Sequence, residues 1–104
     1  MEKVLLVGKL LANIPSPDKL VVKDVDYLVA SSLSEVQQAF ENNGNAIPIV
    51  ITGAGIELEK RLEIVQYVFR ASNTTSVHMK DWNSGPEGFV PFINQVLTGL
   101  LHTI

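Results

Sequence analysis

The run Ile47-Pro48-Ile49-Val50-Ile51 is followed at once by Thr52-Gly53-Ala54-Gly55, and then by a charged segment with helical spacing. An apolar, β-branched run with no polar alternation is the pattern of a strand buried on both faces. Such a strand needs helices on both sides of its sheet. This one stretch confines the chain to layered α/β architectures and places a Gly-rich turn at the exit of the central strand.

The rest of the sequence agrees with that frame. With 104 residues the chain has the length of one domain, residues 1–104, large enough for a core without disulfides or metal. It contains no Cys, which excludes disulfides, thiolate catalysis and Cys-ligated zinc. The net charge is −3 and the Lys and Arg residues are scattered, so nothing suggests a nucleic-acid or membrane-surface footprint. Met1-Glu2-Lys3 leads into a short apolar run without the features of a signal peptide. No apolar run reaches the roughly 20 residues that span a bilayer. The expected compartment is the cytoplasm.

Lys3–Gly8 reads as a first strand and Asp26–Ala30 as a second. Between them, Ser16-Pro17-Asp18 is a helix-start signal, and a short helix over residues 16–23 is one reading. Leu20, Val21 and Val22 have poor helix propensity, and an irregular or extended connection is the other. Ser32-Leu33-Ser34-Glu35 fits a capping box. The helix it opens places Leu33, Val36 and Phe40 on one face and closes near Asn42-Asn43-Gly44. From Glu57 the helical spacing is clearest, and Leu58, Leu62, Val65 and Phe69 form an apolar stripe with Val68 at its edge. Ser76–Met79 reads as a fourth strand, Asn83–Gly88 as a loop, and Phe89–Leu101 as a last helix with Pro91 in its first turn. Strands alternating with helices imply a parallel sheet with right-handed crossovers. The expected fold is α/β, with a four-stranded parallel sheet of order 2-1-3-4 and helices on both faces.

In such a sheet, ligands bind beyond the carboxyl ends of the strands where the strand order reverses. That crevice lies between the loops after strands one and three, with the end of strand four nearby. The candidate ligand-binding residues are therefore Lys9, Thr52, Gly53, Gly55, His78, Lys80 and Asp81. Glycine N–H groups and a helix N-terminus suit a phosphate or carboxylate, and Lys9 and Lys80 add positive charge. Against this, a Gly pair between strand and helix serves the turn itself. Glu57 and Glu59 would also satisfy the helix dipole and repel an anion.

Sharper motifs are missing. After the first strand the chain reads Gly8-Lys9-Leu10-Leu11-Ala12-Asn13, not a dinucleotide fingerprint, and the Gly53-Ala54-Gly55 triplet meets Leu58 where a third Gly belongs. There is no Walker loop, and no strained Ser elbow accompanies His78 and Asp81. His78 reads as a strand residue and His102 as an exposed one; two His without partner spacing make no metal site. Asp81-Trp82 reads as a turn with a packed indole. No cofactor is expected.

The segment Asp26–Asn42, the Ile47–Gly53 strand ending in Thr52, and the strand reaching Lys80 together resemble the receiver domains of two-component signalling. In that family one strand ends in a switch Ser or Thr and another in an invariant Lys. The outline is also similar to small Rossmann-like domains. The resemblance covers the C-terminal three quarters of the chain. It implies a doubly wound sheet and, by what is absent, a pseudo-receiver. Gly8 and Lys9 stand where receivers carry a metal-binding acidic pair, and no Asp lies between Asp26 and Asp81 to accept a phosphoryl group. Without clustered carboxylates a hard divalent cation has no ligands.

The last helix is apolar over about half its circumference, more than the roughly 100° stripe of an ordinary surface helix. Ile64 and Tyr67 stand off the expected buried stripe of the preceding helix. These residues, with Phe92 and Val96, are the candidate interface, and a homodimer through the last two helices and the fourth strand would cover them. The alternative is that the C-terminal tail folds over its own core. The expected function is thus a non-catalytic α/β domain acting by association, as a homodimer or a regulatory partner module. A binder of a small anionic ligand, such as a nucleotide or phosphorylated metabolite, comes second. An enzyme resting on His78, Lys80 and Asp81 comes last.

Overall fold

The computed structural model describes residues 2–53, 55–81 and 85–101. Ala54, Trp82, Asn83, His102 and the rest of the tail lie outside them, so the expectations for Trp82, His102 and a tail folded over the core do too. Four strands, β1 (Glu2–Val7), β2 (Val25–Ala30), β3 (Ile49–Thr52) and β4 (Ser76–Met79), form one sheet. Three helices accompany them: α1 (Leu33–Asn42), α2 (Leu58–Ala71) and α3 (Phe89–Leu101). The strand order is β2-β1-β3-β4 and every pairing is parallel. The expected α/β architecture and strand order are therefore present.

β3 is interior, and all four of its residues are buried. Alternation sends Ile49 and Ile51 to one face and Val50 to the other, and each face has its own core. Val4, Leu6, Ile49 and Ile51 pack against Phe89, Ile93 and Leu97 of α3 and against Leu20 and Val22. Leu5, Val7, Ala30 and Val50 pack against Val36 and Phe40 of α1 and Ile64 and Val68 of α2. The molecule is a three-layer sandwich with two helices on one side and one helix plus a connecting segment on the other.

That connecting segment settles the two readings of residues 16–23. Only Pro17–Lys19 makes a 3-10 turn, Leu20 leaves it in an extended conformation, and the side chains of Leu20 and Val22 are buried. The Ser16 hydroxyl bonds the Asp18 carboxylate rather than capping the backbone. Burial of two branched side chains outweighs a weak helix signal. Gly8 lets this segment close on the sheet, since a Cβ there would lie 2.9 Å from Ile14 Cγ1.

α1 has the expected capping box, displaced by one residue at its return bond. Ser32 Oγ accepts from the Glu35 N–H (3.2 Å), while Glu35 Oε1 accepts from the Ser31 N–H and hydroxyl (2.7 and 2.9 Å). Its far end closes through Gly44 at φ +60°, a left-handed conformation natural to glycine. Pro91 lies in the first turn of α3, as its missing N–H requires.

α2 overturns one expectation. Its buried residues are Arg61, Ile64 and Val68, whereas Leu58, Leu62 and Phe69 are 58%, 44% and 57% exposed. Ile64, expected at the surface, is 1% exposed. Tyr67, also expected off the core, is half-buried with its ring edge-on to Phe40 (centroids 5.9 Å apart). The helix is held in this rotation by Tyr67 on one side and by Arg61, whose Nη1 donates to the Lys80 carbonyl (3.1 Å) at the end of β4.

Candidate functional site

The carboxyl ends of the strands are closed by ladder bonds running one residue past each strand. Gly8 N–H donates to the Ala30 carbonyl (3.1 Å), Gly53 N–H to that of Val7 (2.8 Å) and Lys80 N–H to that of Thr52 (3.0 Å). Gly53 is buried under Phe89, whose ring carbons lie 3.6 Å from the place a Cβ would take. Its N–H therefore serves the sheet and does not face an anion.

The seven residues expected around one crevice separate into distinct places. Lys9 and Gly55 line a cavity of about 470 Å³ together with Ser31, Ser32, Ser34 and Lys60. This cavity lies beyond β1, β2 and β3, between the first turns of α1 and α2. Thr52, Gly53 and Lys80 are buried and are not among its lining residues. Lys80 is 2% exposed and its Nζ donates to the Asp81 carbonyl (3.1 Å). His78 faces the α3 side of β4, since its neighbour in register is Ile51. Its Nε2 lies 3.0 Å from Ser76 Oγ, and partial burial pushes its pKa below the ordinary 6.5. Asp81 is exposed beyond the end of β4.

The cavity has mixed chemistry. Lys9 and Lys60 face it, and so do Glu57 and Glu63. At the start of α1 the Glu35 carboxylate already accepts from Ser31, and these bonds hold its pKa below the ordinary carboxylate value. At the start of α2, Glu57 occupies the cap position but makes no side-chain cap bond. The first N–H groups of α2 thus lack a side-chain cap, beside two ammonium groups.

Two polar atoms stand apart, one on a residue expected in the crevice and one on a residue that was not. Thr52 Oγ1 and Arg61 Nε are buried without a hydrogen-bond partner. Both lie in the layer between the sheet and α2. A buried unpaired polar group costs about 1–3 kcal/mol. Arg61 lies off the apolar stripe expected for this helix, and its place in the helical series 61-64-68 is the sequence signal that puts it on the buried side.

Among the described residues, no group of three or more His, Cys, Asp and Glu is placed to hold a metal ion. No helix among them is long and apolar enough to cross a membrane. Comparison with models of protein families, with characterised proteins and with solved structures returns no match.

What the fold does assemble is a surface. One side of α2 faces α1, through Tyr67 and through Lys60 and Glu63 across the cavity from Ser31–Ser34. The helical wheel puts Leu58, Leu62, Val65 and Phe69 on the opposite side, at the β4 margin. In β4, Val77 packs into the α1/α2 layer, so Met79, two residues on, shares that face and is 43% exposed. On the other face, Asn94 Oδ1 accepts from the Val21 N–H (2.9 Å) and fixes the side of α3 that meets the connecting segment. Phe92 and Val96 lie on its other side, toward β4, half-buried against the core. An edge strand is thus flanked by apolar side chains in both outer layers.

Proposed function

We propose that this protein is a non-catalytic α/β domain that acts by association, through the margin formed by β4, α2 and α3. The observation that carries this reading is the outward stripe Leu58, Leu62 and Phe69 on α2, about half exposed beside a strand edge that no other strand of the described residues pairs. These side chains with Met79 present on the order of 400 Å² of apolar surface, the size of the largest patch on a typical monomer, which is often a functional one. The resemblance to receiver domains without a phosphorylation pocket supports a regulatory module of this kind in the cytoplasm, working as a homodimer or with a partner.

The test combines sedimentation with binding of an apolar fluorescent dye. A domain of this kind either self-associates or, as a monomer, binds the dye at this margin. Replacing Leu62 and Phe69 by Glu abolishes whichever is seen. A monomer that binds no dye, and that the double substitution leaves unchanged, overturns the reading.

The cavity beside Lys9 and Lys60 favours a second reading, a site for a small anionic metabolite or nucleotide. Its support is the uncapped start of α2 next to two ammonium groups. Millimolar phosphorylated ligands then raise the melting temperature of the wild type but not of Lys9→Ala/Lys60→Ala. Equal melting temperatures with and without ligand remove this reading.

A further inference from the structure

The parallel ladder determines which backbone groups of β4 are free. Ser76 N–H donates to the Pro48 carbonyl (3.0 Å) and Lys80 N–H to the Thr52 carbonyl (3.0 Å). In a parallel strand the N–H and C=O of one residue point the same way and successive residues alternate. Ser76, His78 and Lys80 therefore turn their backbone groups toward β3. Val77 and Met79 turn theirs outward, to the unpaired margin.

Edge strands are ordinarily guarded by inward charges, Pro, bulges or covering loops. β4 reads Ser-Val-His-Met and carries no Lys, Arg, Asp, Glu or Pro. Flanking it are exposed Leu58, Leu62 and Phe69 with half-buried Val65 in one layer and half-buried Phe92 and Val96 in the other, and the exposed charge nearest in sequence is Asp81, beyond the strand's end. A free edge with apolar flanks in both layers fits a partner that has the same three layers, and this chain is such a partner.

Resting on the association reading above, we propose that the partner is a second copy of this chain. The two β4 strands pair antiparallel about a two-fold axis at His78, and the two sheets continue as one. The axis follows from the backbone. Centred on His78, Val77 of one copy lies opposite Met79 of the other, so every outward N–H and C=O of the strand finds a mate. An isologous contact places each patch against itself. An apolar patch tolerates that arrangement, whereas a charged one does not. α2 then lies beside its own copy through Leu58, Leu62 and Phe69, and α3 beside its copy through Phe92 and Val96. The exposed apolar groups of α2 and β4 supply about half of the roughly 800 Å² per partner of a standard interface, and the strand backbone and the flank of α3 add to it.

The absence of Cys makes the register directly testable. His78 of each copy would form a non-hydrogen-bonded antiparallel pair with Cα atoms about 4.5 Å apart, within the range a disulfide bridges. His78→Cys, mildly oxidised, is expected to give a covalent dimer, while Val29→Cys at the opposite margin is not. Met79→Lys, a guard charge on the free edge, is expected to weaken dimerisation of the full chain at least roughly tenfold by sedimentation, with unchanged circular dichroism. A dimer sensitive to Phe69→Glu that does not cross-link through position 78 overturns the strand pairing and leaves the association reading standing. A monomer at high micromolar concentration that binds dye at the Leu62/Phe69 face overturns the second copy as partner and also leaves that reading. A monomer without dye binding overturns both.

Discussion

The two margins of the sheet are built from the same parts and finished differently. At the β2 margin, α1 turns Glu35, Gln38 and Asn42 outward beside Leu28 and the edge of the strand at Val29. There the exposed Leu11 and Val29 line one shallow depression with Leu28, and Glu35, Gln38, Asn42 and Asn43 interrupt its apolar surface. At the β4 margin, α2 turns Leu58, Leu62 and Phe69 outward over Val77 and Met79. Scattered apolar residues on a surface need no explanation, but a contiguous stripe on one margin does. Both helices bury apolar side chains against the same sheet face, Val36 and Phe40 from α1 and Ile64 and Val68 from α2, so the two differ in what they turn outward. It is the contrast on which the proposed association through the β4 margin rests.

The largest test of this contrast lies within α2. Ile64→Ala empties a fully buried site and is expected to cost about 2–5 kcal/mol in urea denaturation. Leu62→Ala on the outward stripe is expected to cost about 1 kcal/mol or less, measured at a concentration where the chain is monomeric. Equal costs would show that the stripe is core after all, and the contrast between the margins would be lost.

Next in size is an exchange of character between margins. Phe69→Glu is expected to weaken self-association more than roughly tenfold, and Val29→Lys at the β2 margin to leave it unchanged. Sensitivity at both margins would break the comparison.

The helix starts differ as well. Ser32→Ala removes the α1 cap and is expected to cost about 1 kcal/mol in thermal or urea unfolding. Glu57→Ser supplies the side-chain cap that α2 lacks, with an expected gain of about 0.5–1 kcal/mol.

The smallest effects are in pH dependence. Glu35 has its folded pKa lowered by the bonds from Ser31, so its contribution is complete above the ordinary carboxylate range and is lost as pH falls through the folded value. Glu35→Gln should flatten the acid limb of the stability curve. His78 is a base whose folded pKa is lowered by burial, so the unfolded chain binds its proton first. Its contribution is complete above the ordinary 6.5 and is lost as pH falls below that toward the folded value. His78→Gln should remove this slope, and NMR titration of the ring would locate the folded value. An unshifted His78 would mean that its ring is solvated rather than partly buried on the α3 face of β4.

The β-branched runs, the capping box at Ser32 and Glu35, Pro91 and the Gly44 turn each act over a few residues. The strands, α1 and α3 were legible for that reason. The rotation of α2 was not. Leu58, Leu62, Val65 and Phe69 satisfy helical spacing, but so do Arg61, Ile64 and Val68, and hydrophobicity alone favours the first set. The second is buried because Arg61 reaches the Lys80 carbonyl and Tyr67 meets Phe40, contacts separated by 19 residues in one case and by a whole βα unit in the other. The candidate site was only partly legible for a related reason. The turn glycines near Thr52 were readable, but the ladder bond from Gly53 to Val7 and the ring of Phe89 over it belong to other elements.

By itself the sequence determined a parallel four-stranded sheet covered on both faces, because burial on two sides is written in the composition of each strand and in the periodicity of the helices between them. Only the tertiary structure decided which side of α2 is core, where a cavity opens and which margin is left apolar. Those depend on how one helix is turned by partners distant in the chain, and local spacing cannot rank two stripes that both fit the same period.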